Sequence, residues 1–432
     1  IPRLISVVGV GEQKEANTLL SLEETYADIA PVREASSSIS AFVSIMRGCN
    51  QMCAYCIVPF TRGRERSRPM STILQEIRDL QADGVQEVTI LGQNVNGYYD
   101  ISDESKKAYP ADRKYMTSTG FNRLYKSKTQ DGPGARFVDL LAGISDAVPN
   151  MRIRFTSPHP KDFPDEVFHL IAERNNICAT LHLPAQSGSN SVLQRMRREY
   201  TVEAYLALVD RARAIIGDKL AITSDFIAGF CGETEEEHQA TIRLLKEVKY
   251  DMAFMFAYSL REKTSAAYKL QDDVSEDVKL RRLQEIISVF RTTSQERIHE
   301  VERIGDIRLV LLDNMAKVKS ANQHIFDELK ENLCSGESSS VVAADDDTNK
   351  QWVSGRTDGN HRCLLYTTPV SSTATINPVS TSTTPPAPGD YIAMRITHIQ
   401  GKTIYGIPLA ITNITDYYEK YCTTNENDLS RS

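Results

Sequence analysis

The sequence predicts an α/β protein in which a partial (β/α)6 barrel is followed by a small antiparallel β-barrel. Two observations predict this fold class. Between Phe42 and Glu300, six short β-rich runs alternate with amphipathic helical patterns, which is typical of parallel strands joined by right-handed crossovers. After Ile304 the helical periodicity gives way to short β runs separated by turn residues, as in small antiparallel barrels.

The predicted elements of the first domain follow each other in strict alternation. The first helix, 72–82, has the clearest pattern, because Thr72 and Gln75 show capping-box spacing, an apolar stripe follows, and Gly84 comes just after its end. The other predicted helices are 164–174, 202–216, 233–248 and 275–300. The predicted strands are 42–46, 87–91, 151–156, 178–183, 220–230 and 252–259.

Three polar segments interrupt these patterns. Residues 98–136, rich in Lys, Ser and Gly, are predicted to be a mobile insertion between the second strand and its helix. Two further segments, 319–350 and the Ser/Thr/Pro-rich 371–388, are predicted to be disordered insertions within a C-terminal domain at 302–416. Residues 417–432 are predicted to be a tail.

The composition narrows the function classes. The 432 residues include 57 acidic and 50 basic side chains, for a net charge of −7, so a nucleic-acid site would have to be a local basic patch. The apolar runs are strand-sized, which predicts no membrane span. Five of the eight cysteines are scattered singly, which indicates free thiols in a reducing compartment rather than a disulfide framework.

The remaining cysteines form the most informative feature of the chain. Cys49, Cys53 and Cys56 have C-x3-C-x2-C spacing directly after the first strand, where a βα barrel places its chemistry. Three thiolates cannot complete a tetrahedral structural zinc site, whereas a [4Fe-4S] cluster held by three leaves one iron open to a ligand. The alternatives are a loop of free thiols, or a zinc site completed by a distant His159 or His182.

The motifs around the cysteines resemble a known family. In order they read "IMRGCNQMCAYCIVPFTRGRERSRP", "ILGQNVN", "RIRFTSPHP", "HLPAQSGSNSVLQRMRR" and "DFIAGFCGETEEEH". They are similar to the MiaB-like tRNA methylthiotransferases of the radical S-adenosylmethionine (AdoMet, SAM) superfamily, in particular the eukaryotic mitochondrial branch named for binding an activator of cyclin-dependent kinase five. The resemblance implies a radical SAM barrel at 40–301 and a TRAM-like RNA-binding domain at 302–416.

The resemblance implies roles for individual residues. The three clustered cysteines would be the catalytic cluster ligands, with AdoMet on the open iron. Gln93 and Asn94 would hydrogen-bond the methionine end of AdoMet, and Ser157 and Gln186 would contact its ribose and carboxylate; capping of turns or strands is the alternative for these four. Two glycines in "GFCGE" would let the backbone approach the adenine, with Glu233 opening the next helix. These glycines are Gly229 and Gly232, and the other implied AdoMet positions are Tyr55 and Asp225.

A run of arginines beside the cysteines predicts an RNA contact. Guanidinium groups match phosphate oxygens, so these side chains could hold a tRNA backbone at the mouth of the barrel. A solvated loop with carboxylate partners is the alternative, and Arg195, Arg197 and Arg198 either extend the patch or serve a helix end. The run consists of Arg62, Arg64, Arg66 and Arg68, offset by Glu65.

The family resemblance implies a reaction and its partners. The chain would attach a methylthio group to C2 of N6-isopentenyladenosine next to the tRNA anticodon, using a [4Fe-4S] cluster, AdoMet and an electron donor, in mitochondria or alternatively in the cytoplasm. A regulatory protein that binds a kinase activator without catalysis is the alternative, and a zinc-dependent RNA-binding module is a third reading.

The sequence departs from the family at two points. Residues 1–42 contain no cysteine, so we interpret 1–39 as the remnant of an N-terminal methylthiotransferase domain and its linker. We therefore expect this chain to bind one cluster and cleave AdoMet without attaching sulfur, the second, auxiliary cluster being expected in the full-length protein. Cys231 stands where bacterial relatives generally have proline, and we predict a packed side chain rather than an iron ligand.

Overall fold

The computed structural model describes residues 38–111, 121, 132–316, 352–366, 370–371 and 383–422. The first domain is built on six parallel strands, which confirms the predicted alternation. They are β1 Ser40–Ser44, β2 Glu87–Leu91, β3 Arg152–Phe155, β4 Thr180–His182, β5 Ala221–Ala228 and β6 Met252–Ala257.

The strands lie in the order β1-β2-β3-β4-β5-β6. Regular pairing forms two groups, β1-β2-β3 and β4-β5-β6, and a parallel bridge between Ile153 and Ile177 joins them. Among the described residues no pairing connects β1 with β6, so the barrel is open on one side. The fold is therefore a partial (β/α)6 barrel, as the sequence predicts.

Helices cover the outside of this barrel. Helix α1 buries Ile73, Ile77 and Leu80 in the same core as the alternate residues Ala41 and Val43 of β1, while the other face of β1 is exposed toward the barrel interior. The principal helices of this domain are α1 Met70–Ala82, α2 Phe137–Ala147, α3 Asp165–Glu173, α4 Val202–Ile216, α5 Glu235–Val248 and α6 Glu276–Val301.

The predicted capping box of α1 is wrong. The helix begins at Met70, after Pro69, and the Thr72 hydroxyl donates to the Pro69 carbonyl instead of capping an amide. The extended backbone of Pro69 starts the helix two residues earlier than the capping pattern suggests. Gly84 does follow the helix end as predicted, with φ of +86°.

The insertion predicted at 98–136 is ordered at both ends, so the prediction of mobility is wrong there. Tyr98 is buried and donates a hydrogen bond to the Arg68 carbonyl, and Asp100 caps the turn that follows. Further along, Phe121 is buried against Tyr200. Short elements outside the main layers are the helices Val58–Thr61, Asp103–Ala108, Asn190–Arg195 and Ser265–Lys269 and the paired strands Met46–Arg47 with Arg66–Ser67 and Tyr99–Asp100 with Ala135–Arg136.

The C-terminal domain is a closed five-stranded barrel, as predicted. Its strand order is β7-β8-β9-β11-β10, and one pair, β9 with β11, is parallel where the sequence suggested an antiparallel barrel throughout. The strands are β7 Ile307–Ala316, β8 Trp352–Arg356, β9 Arg362–Tyr366, β10 Tyr391–Gln400 and β11 Thr403–Thr412.

The boundaries of this domain need two corrections. The tail predicted from residue 417 begins inside a helix, α7 Ile414–Tyr421, whose Tyr417 hydroxyl donates to the Ile307 carbonyl of β7. The segment 371–388, predicted to be disordered, has described ends in which Val370–Ser371 pairs with Thr383–Thr384. Segments 1–37, 317–351 and 372–382 lie outside the described residues, and with them most of the predicted remnant and insertions.

The small barrel is docked on the amino ends of the first barrel's strands. Arg152, the first residue of β3, donates to the carbonyls of Leu309 and Arg356 at 3.1 and 2.9 Å. The loop 357–361, which we call the plug loop, lies under the neighbouring strands, where the Asp358 carboxylate accepts from the Ala179 amide at 2.8 Å. The cysteines lie at the opposite, carboxyl end. No helix in the described parts of the chain is both long and apolar enough to cross a membrane.

Candidate active site

The three cysteines lie on a loop that is closed at its base by a short strand pair. Met46–Arg47 pairs with Arg66–Ser67, so residues 48–65, the cysteine loop, leave and return at the same place. Gly48 has φ of +76°, and a Cβ there would lie 2.2 Å from the Arg64 carbonyl oxygen. Glycine is therefore the residue that this crossing requires.

The thiols share one environment. Cys49 is buried, and Cys53 and Cys56 are half-buried. Burial raises the pKa of the Cys49 thiol far above its ordinary value, and nearby negative charge, on Glu65 first and then on Cys53 and Cys56, raises it further. Burial likewise raises the pKa of Cys56, with Cys53 again contributing. The three thiols would lose their protons on binding a metal group, because the metal takes the place of the proton on each sulfur.

The arrangement does not match a site for a single zinc ion. Within the described residues, the group of three His, Cys, Asp or Glu ligand atoms that lie within 4.8 Å of one another is Glu235, His238 and Glu285, and it contains none of the thiols. His159 is buried with its Nδ1 accepting from the Lys161 amide, and His182 is bonded to Thr223 and Asp225. The three thiols lie farther apart than the ligands of a single ion would. This spacing fits a larger, multi-iron group.

A buried cation beside the thiols supports the same interpretation. Nη1 of Arg198 donates to Sγ of Cys53 at 3.4 Å, and Arg198 is only 4% exposed. In the described part of the chain no carboxylate forms an ion pair with it. A buried guanidinium without an anionic partner is costly, and an anionic [4Fe-4S] group bound by thiolates would supply that partner.

Two of the predicted AdoMet contacts occupy strained backbone positions at strand ends. Ser157 after β3 and Gln186 after β4 have φ of +61° and +67°, which side chains other than glycine rarely adopt. Their side-chain polar groups have no hydrogen-bond partner among the described residues. Strain of this kind concentrates at functional sites, so both side chains remain candidates to bind AdoMet.

Gln93 and Asn94, after β2, use their amides within the protein. The Gln93 side-chain oxygen accepts from the Gly48 amide at 2.7 Å and so holds the start of the cysteine loop. Asn94 is 1% exposed, donates to Asp162 at 3.1 Å and accepts from the His159 amide. We correct the prediction for Asn94: its amide positions the loops around the site and is not available to AdoMet.

The glycine motif after β5 agrees with the prediction in part. Gly229 and Gly232 have φ of +71° and +69°, so both require glycine, and a Cβ on Gly229 would lie 2.3 Å from Lys279 Cγ on α6. Glu233 does not open the helix, which starts two residues later. Its buried carboxylate accepts from the Gly229 amide at 2.7 Å and pairs with Arg282 at 3.0 Å, so Glu233 braces the turn.

The remaining predicted positions lie on the same side of the barrel. Tyr55 packs edge-to-face against Phe230, with ring centroids 6.5 Å apart. Asp225 lies 3.3 Å from Nε2 of His182, a pair that the sequence patterns did not bring together. Cys231 is buried in an apolar cluster with Phe230 and Tyr258, which agrees with the predicted packed side chain.

The arginine run divides into exposed and buried members. Arg62 and Arg64 are exposed and Arg66 is half-buried. Arg68 is buried, pairs with Glu76 at 2.8 Å and donates to a main-chain carbonyl, so the prediction that it contacts RNA is wrong. Its partner lies on α1 and is not recognisable from the local sequence.

Comparison with known proteins identifies the fold family. The sequence profile of the radical SAM superfamily matches residues 43–245, which contain the three cysteines and all the strand-end positions described above. Within these residues the chain is a radical SAM domain. A [4Fe-4S] cluster and AdoMet are the cofactors of this radical SAM domain, as predicted, and the thiol donor set and the Arg198 environment fit the cluster.

Named relatives extend the match along the chain. It is 47% identical over 98% of its length to a "CDK5RAP1-like protein" of Oryza sativa subsp. japonica, covering 63% of that relative. It is also 47% identical over 98% of its length to "Mitochondrial tRNA methylthiotransferase CDK5RAP1" of Mus musculus, covering 64% of it. A "tRNA-2-methylthio-N(6)-dimethylallyladenosine synthase" of Chloroherpeton thalassium is 46% identical over 74% of this chain, which covers 63% of that relative.

These matches confirm the resemblance to the MiaB-like tRNA methylthiotransferases. The radical SAM domain and the C-terminal barrel both lie within the matched region of the first two relatives, because the alignments cover 98% of the chain. The chain spans just under two thirds of the length of the relatives it matches.

Proposed function

We propose that this protein methylthiolates tRNA, attaching a methylthio group to C2 of N6-isopentenyladenosine next to the anticodon. The observation that carries this proposal is the identity of 46–47% with relatives named as a tRNA methylthiotransferase and a tRNA-2-methylthio-N(6)-dimethylallyladenosine synthase. The first alignment covers 98% of the chain and so includes the cysteine loop. No described feature favours the alternative of a non-catalytic kinase-activator-binding protein. The name of the mouse relative supports a mitochondrial location.

In this function Cys49, Cys53 and Cys56 would hold the cluster. AdoMet bound there supplies a radical able to remove hydrogen from an unactivated carbon. The chain contributes the geometry: Gln93 fixes the cysteine loop, and Ser157 with Gln186 would orient AdoMet from neighbouring strand ends. The edge-to-face rings of Phe230 and Tyr258, 4.8 Å apart, close an apolar cluster behind the loop and exclude water there.

The partners follow from the same chemistry. The tRNA is the substrate, and an electron donor must supply reducing equivalents to the cluster. Arg62 and Arg64 are exposed on the cysteine loop, and their guanidinium groups would bind the phosphate backbone of the tRNA. The C-terminal barrel would add affinity from its position at the other end of the molecule.

A paired substitution tests the RNA contact. We expect Arg62→Ala with Arg64→Ala to weaken tRNA binding and to reduce the slope of log K against log salt by about 1–2, because two phosphate contacts are lost. Filter binding or anisotropy at several salt concentrations measures it. The matched variant Arg68→Ala breaks the buried pair with Glu76, so it should lower the unfolding midpoint and leave the salt slope unchanged. An unchanged slope in the double variant would remove the contact from the proposal.

The reaction is tested on cellular tRNA. Nucleosides from cells that lack the full-length protein should have lost the methylthio group from isopentenyladenosine while retaining the isopentenyl group, as measured by mass spectrometry. Restoring the full-length protein should restore the modification, and restoring it with Cys53→Ala should not. A normal level of the methylthio nucleoside in cells without the protein would refute the substrate assignment.

A further inference from the structure

A short strained segment holds the cysteine loop from the side of β4. Residues 196–200, which we call the strap, follow the short helix Asn190–Arg195. Within it, Arg197 and Glu199 have φ of +57° and +60°, so a non-glycine residue of left-handed conformation lies on each side of Arg198. The Met196 carbonyl accepts from the Ala54 amide at 2.8 Å, which ties the strap to the loop between two of the cysteines.

The strained backbone is held in place by side chains on both sides of Arg198. Glu199 forms an ion pair with Lys161 at 2.9 Å, and both side chains are almost fully buried. Tyr200 packs against the rings of Phe121, His159 and Tyr205. These anchors turn Arg198 inward, away from solvent.

The guanidinium of Arg198 is fixed in direction by three hydrogen bonds. Nε donates to the Tyr200 hydroxyl at 3.0 Å, Nη2 donates to the Pro184 carbonyl at 2.9 Å, and Nη1 donates to Sγ of Cys53 at 3.4 Å. The Tyr200 hydroxyl donates in turn to the Pro184 carbonyl at 2.9 Å. The side chain therefore has one orientation, and in that orientation one N–H points at a cluster ligand.

The charge of Arg198 is not neutralised by an acid. The described residues supply it with a hydroxyl, a carbonyl and a thiol, and with no carboxylate in an ion pair. A fixed positive charge in a low-dielectric site acts strongly on any neighbouring group whose charge changes. The group beside it that changes charge is the cluster, which becomes more negative when it accepts an electron.

We propose that Arg198 is a positioning residue that raises the reduction potential of the cluster through Cys53. Its positive charge stabilises the reduced, more negative state, and its N–H···S bond lowers electron density on the ligand sulfur; both effects favour reduction. The inference rests on the proposed cluster function. It adds that electron uptake from a given donor depends on the strap as well as on the cysteines.

The test compares midpoint potentials of the iron-loaded protein by redox titration monitored by electron paramagnetic resonance. We expect Arg198→Gln, which removes the charge, to lower the potential most. Arg198→Lys keeps a charge but not the fork of donors, and should lie between Arg198→Gln and the unaltered protein. Iron content and visible absorbance are measured on each sample, so that loss of the cluster is separated from a shift of its potential.

A second arginine provides a matched control. Arg297 is also buried and donates to main-chain carbonyls, those of Asp218 and Leu220, at the amino end of the barrel away from the thiols. Arg297→Gln should lower thermal stability and leave the potential unchanged. Thermal unfolding of the metal-free proteins shows the folding cost of each substitution independently of the cluster.

The outcomes separate this inference from the proposed function. A potential of loaded Arg198→Gln equal to that of the unaltered protein would overturn it, as would an equal shift in Arg297→Gln. If the Arg198→Gln variant binds no iron, the Arg198→Lys variant provides the test. A midpoint potential of loaded Arg198→Lys equal to that of the unaltered protein would then overturn the inference. Failure of the unaltered protein itself to bind iron would instead contradict the proposed function.

Discussion

Replacement of Cys53 by alanine should abolish iron loading and, with it, reductive cleavage of AdoMet. Cys49, Cys53 and Cys56 are the thiols brought together on the cysteine loop. With only two of these thiolates, a [4Fe-4S] cluster would have two irons without a protein ligand, and the protein would not retain it. Iron analysis and the visible absorbance of the anaerobically reconstituted chain should both fall to background. Formation of 5′-deoxyadenosine under strong reductant should fall below detection.

Cys231→Ala is the control for this experiment. Its thiol is 2% exposed, lies in the apolar cluster next to the loop, and is predicted not to bind iron. The variant should therefore retain its iron and its absorbance, with a modest loss of stability from the vacated space. If Cys53→Ala kept a full complement of iron, or Cys231→Ala lost it, the ligand assignment would be wrong.

His361→Gln should remove a pH-dependent part of the stability of the two-barrel unit. His361, in the plug loop, lies 3.0 Å from Glu302 and 3.3 Å from Asp251, so it joins the small barrel to the end of α6 and the start of β6. Burial alone would lower its pKa, but hydrogen bonds and charge from both carboxylates raise it from 6.5 to about 9. A shift of that size corresponds to about 3 kcal/mol of stabilisation.

The sign of the pH dependence follows from the raised pKa. The stabilisation is fully present below pH 6.5, where histidine is protonated in both states, and is lost as the pH rises through about 9. Further charges at this junction are Arg308, paired with Glu302 and Asp306 at 2.6 Å each, and Lys402, which donates to the Asp251 carbonyl.

Urea unfolding at pH 6 and pH 9.5 measures the effect. The unaltered protein should lose stability between these values by more than the His361→Gln variant does, and the variant should be less stable at pH 6. The exposed His169, on α3, is the site for a control substitution to glutamine that should change neither value. Parallel pH profiles for the unaltered protein and His361→Gln would contradict the prediction.

The fold was predictable where a long periodic pattern decides the structure. The strand 87–91 and the helix 202–216 have the predicted bounds, because alternation and a 3.6-residue apolar stripe act within a single segment. The start of α1 was not predictable in this way, because the rigid backbone of Pro69 decides it and not the capping pattern at Thr72. Likewise, periodicity does not reveal that β9 and β11 run parallel, since this depends on how the barrel closes.

The site was predictable to the extent that its chemistry lies in consecutive residues. The three-cysteine spacing and the glycine turn after β5 are local, and the structure forms both. Asn94 and Glu233 were misassigned because partners from distant segments occupy their polar atoms. Arg68 was misassigned because the fold turns it toward Glu76 on α1, eight residues further along the chain. Arg198 shows the reverse error: a residue grouped with a surface patch is buried beside a thiol.

The plug loop covers the amino end of the first barrel. Arg154, inside that barrel, donates to the carbonyls of Thr357 and Asp358, and the Thr180 hydroxyl donates to the Asp358 carbonyl as well, so the loop covers the amino ends of these strands. Among the described residues, these contacts leave open the rim that carries the cysteine loop and the gap between β1 and β6. If the proposed tRNA substrate binds at that rim, it would close this entrance and so shield a short-lived radical from quenching.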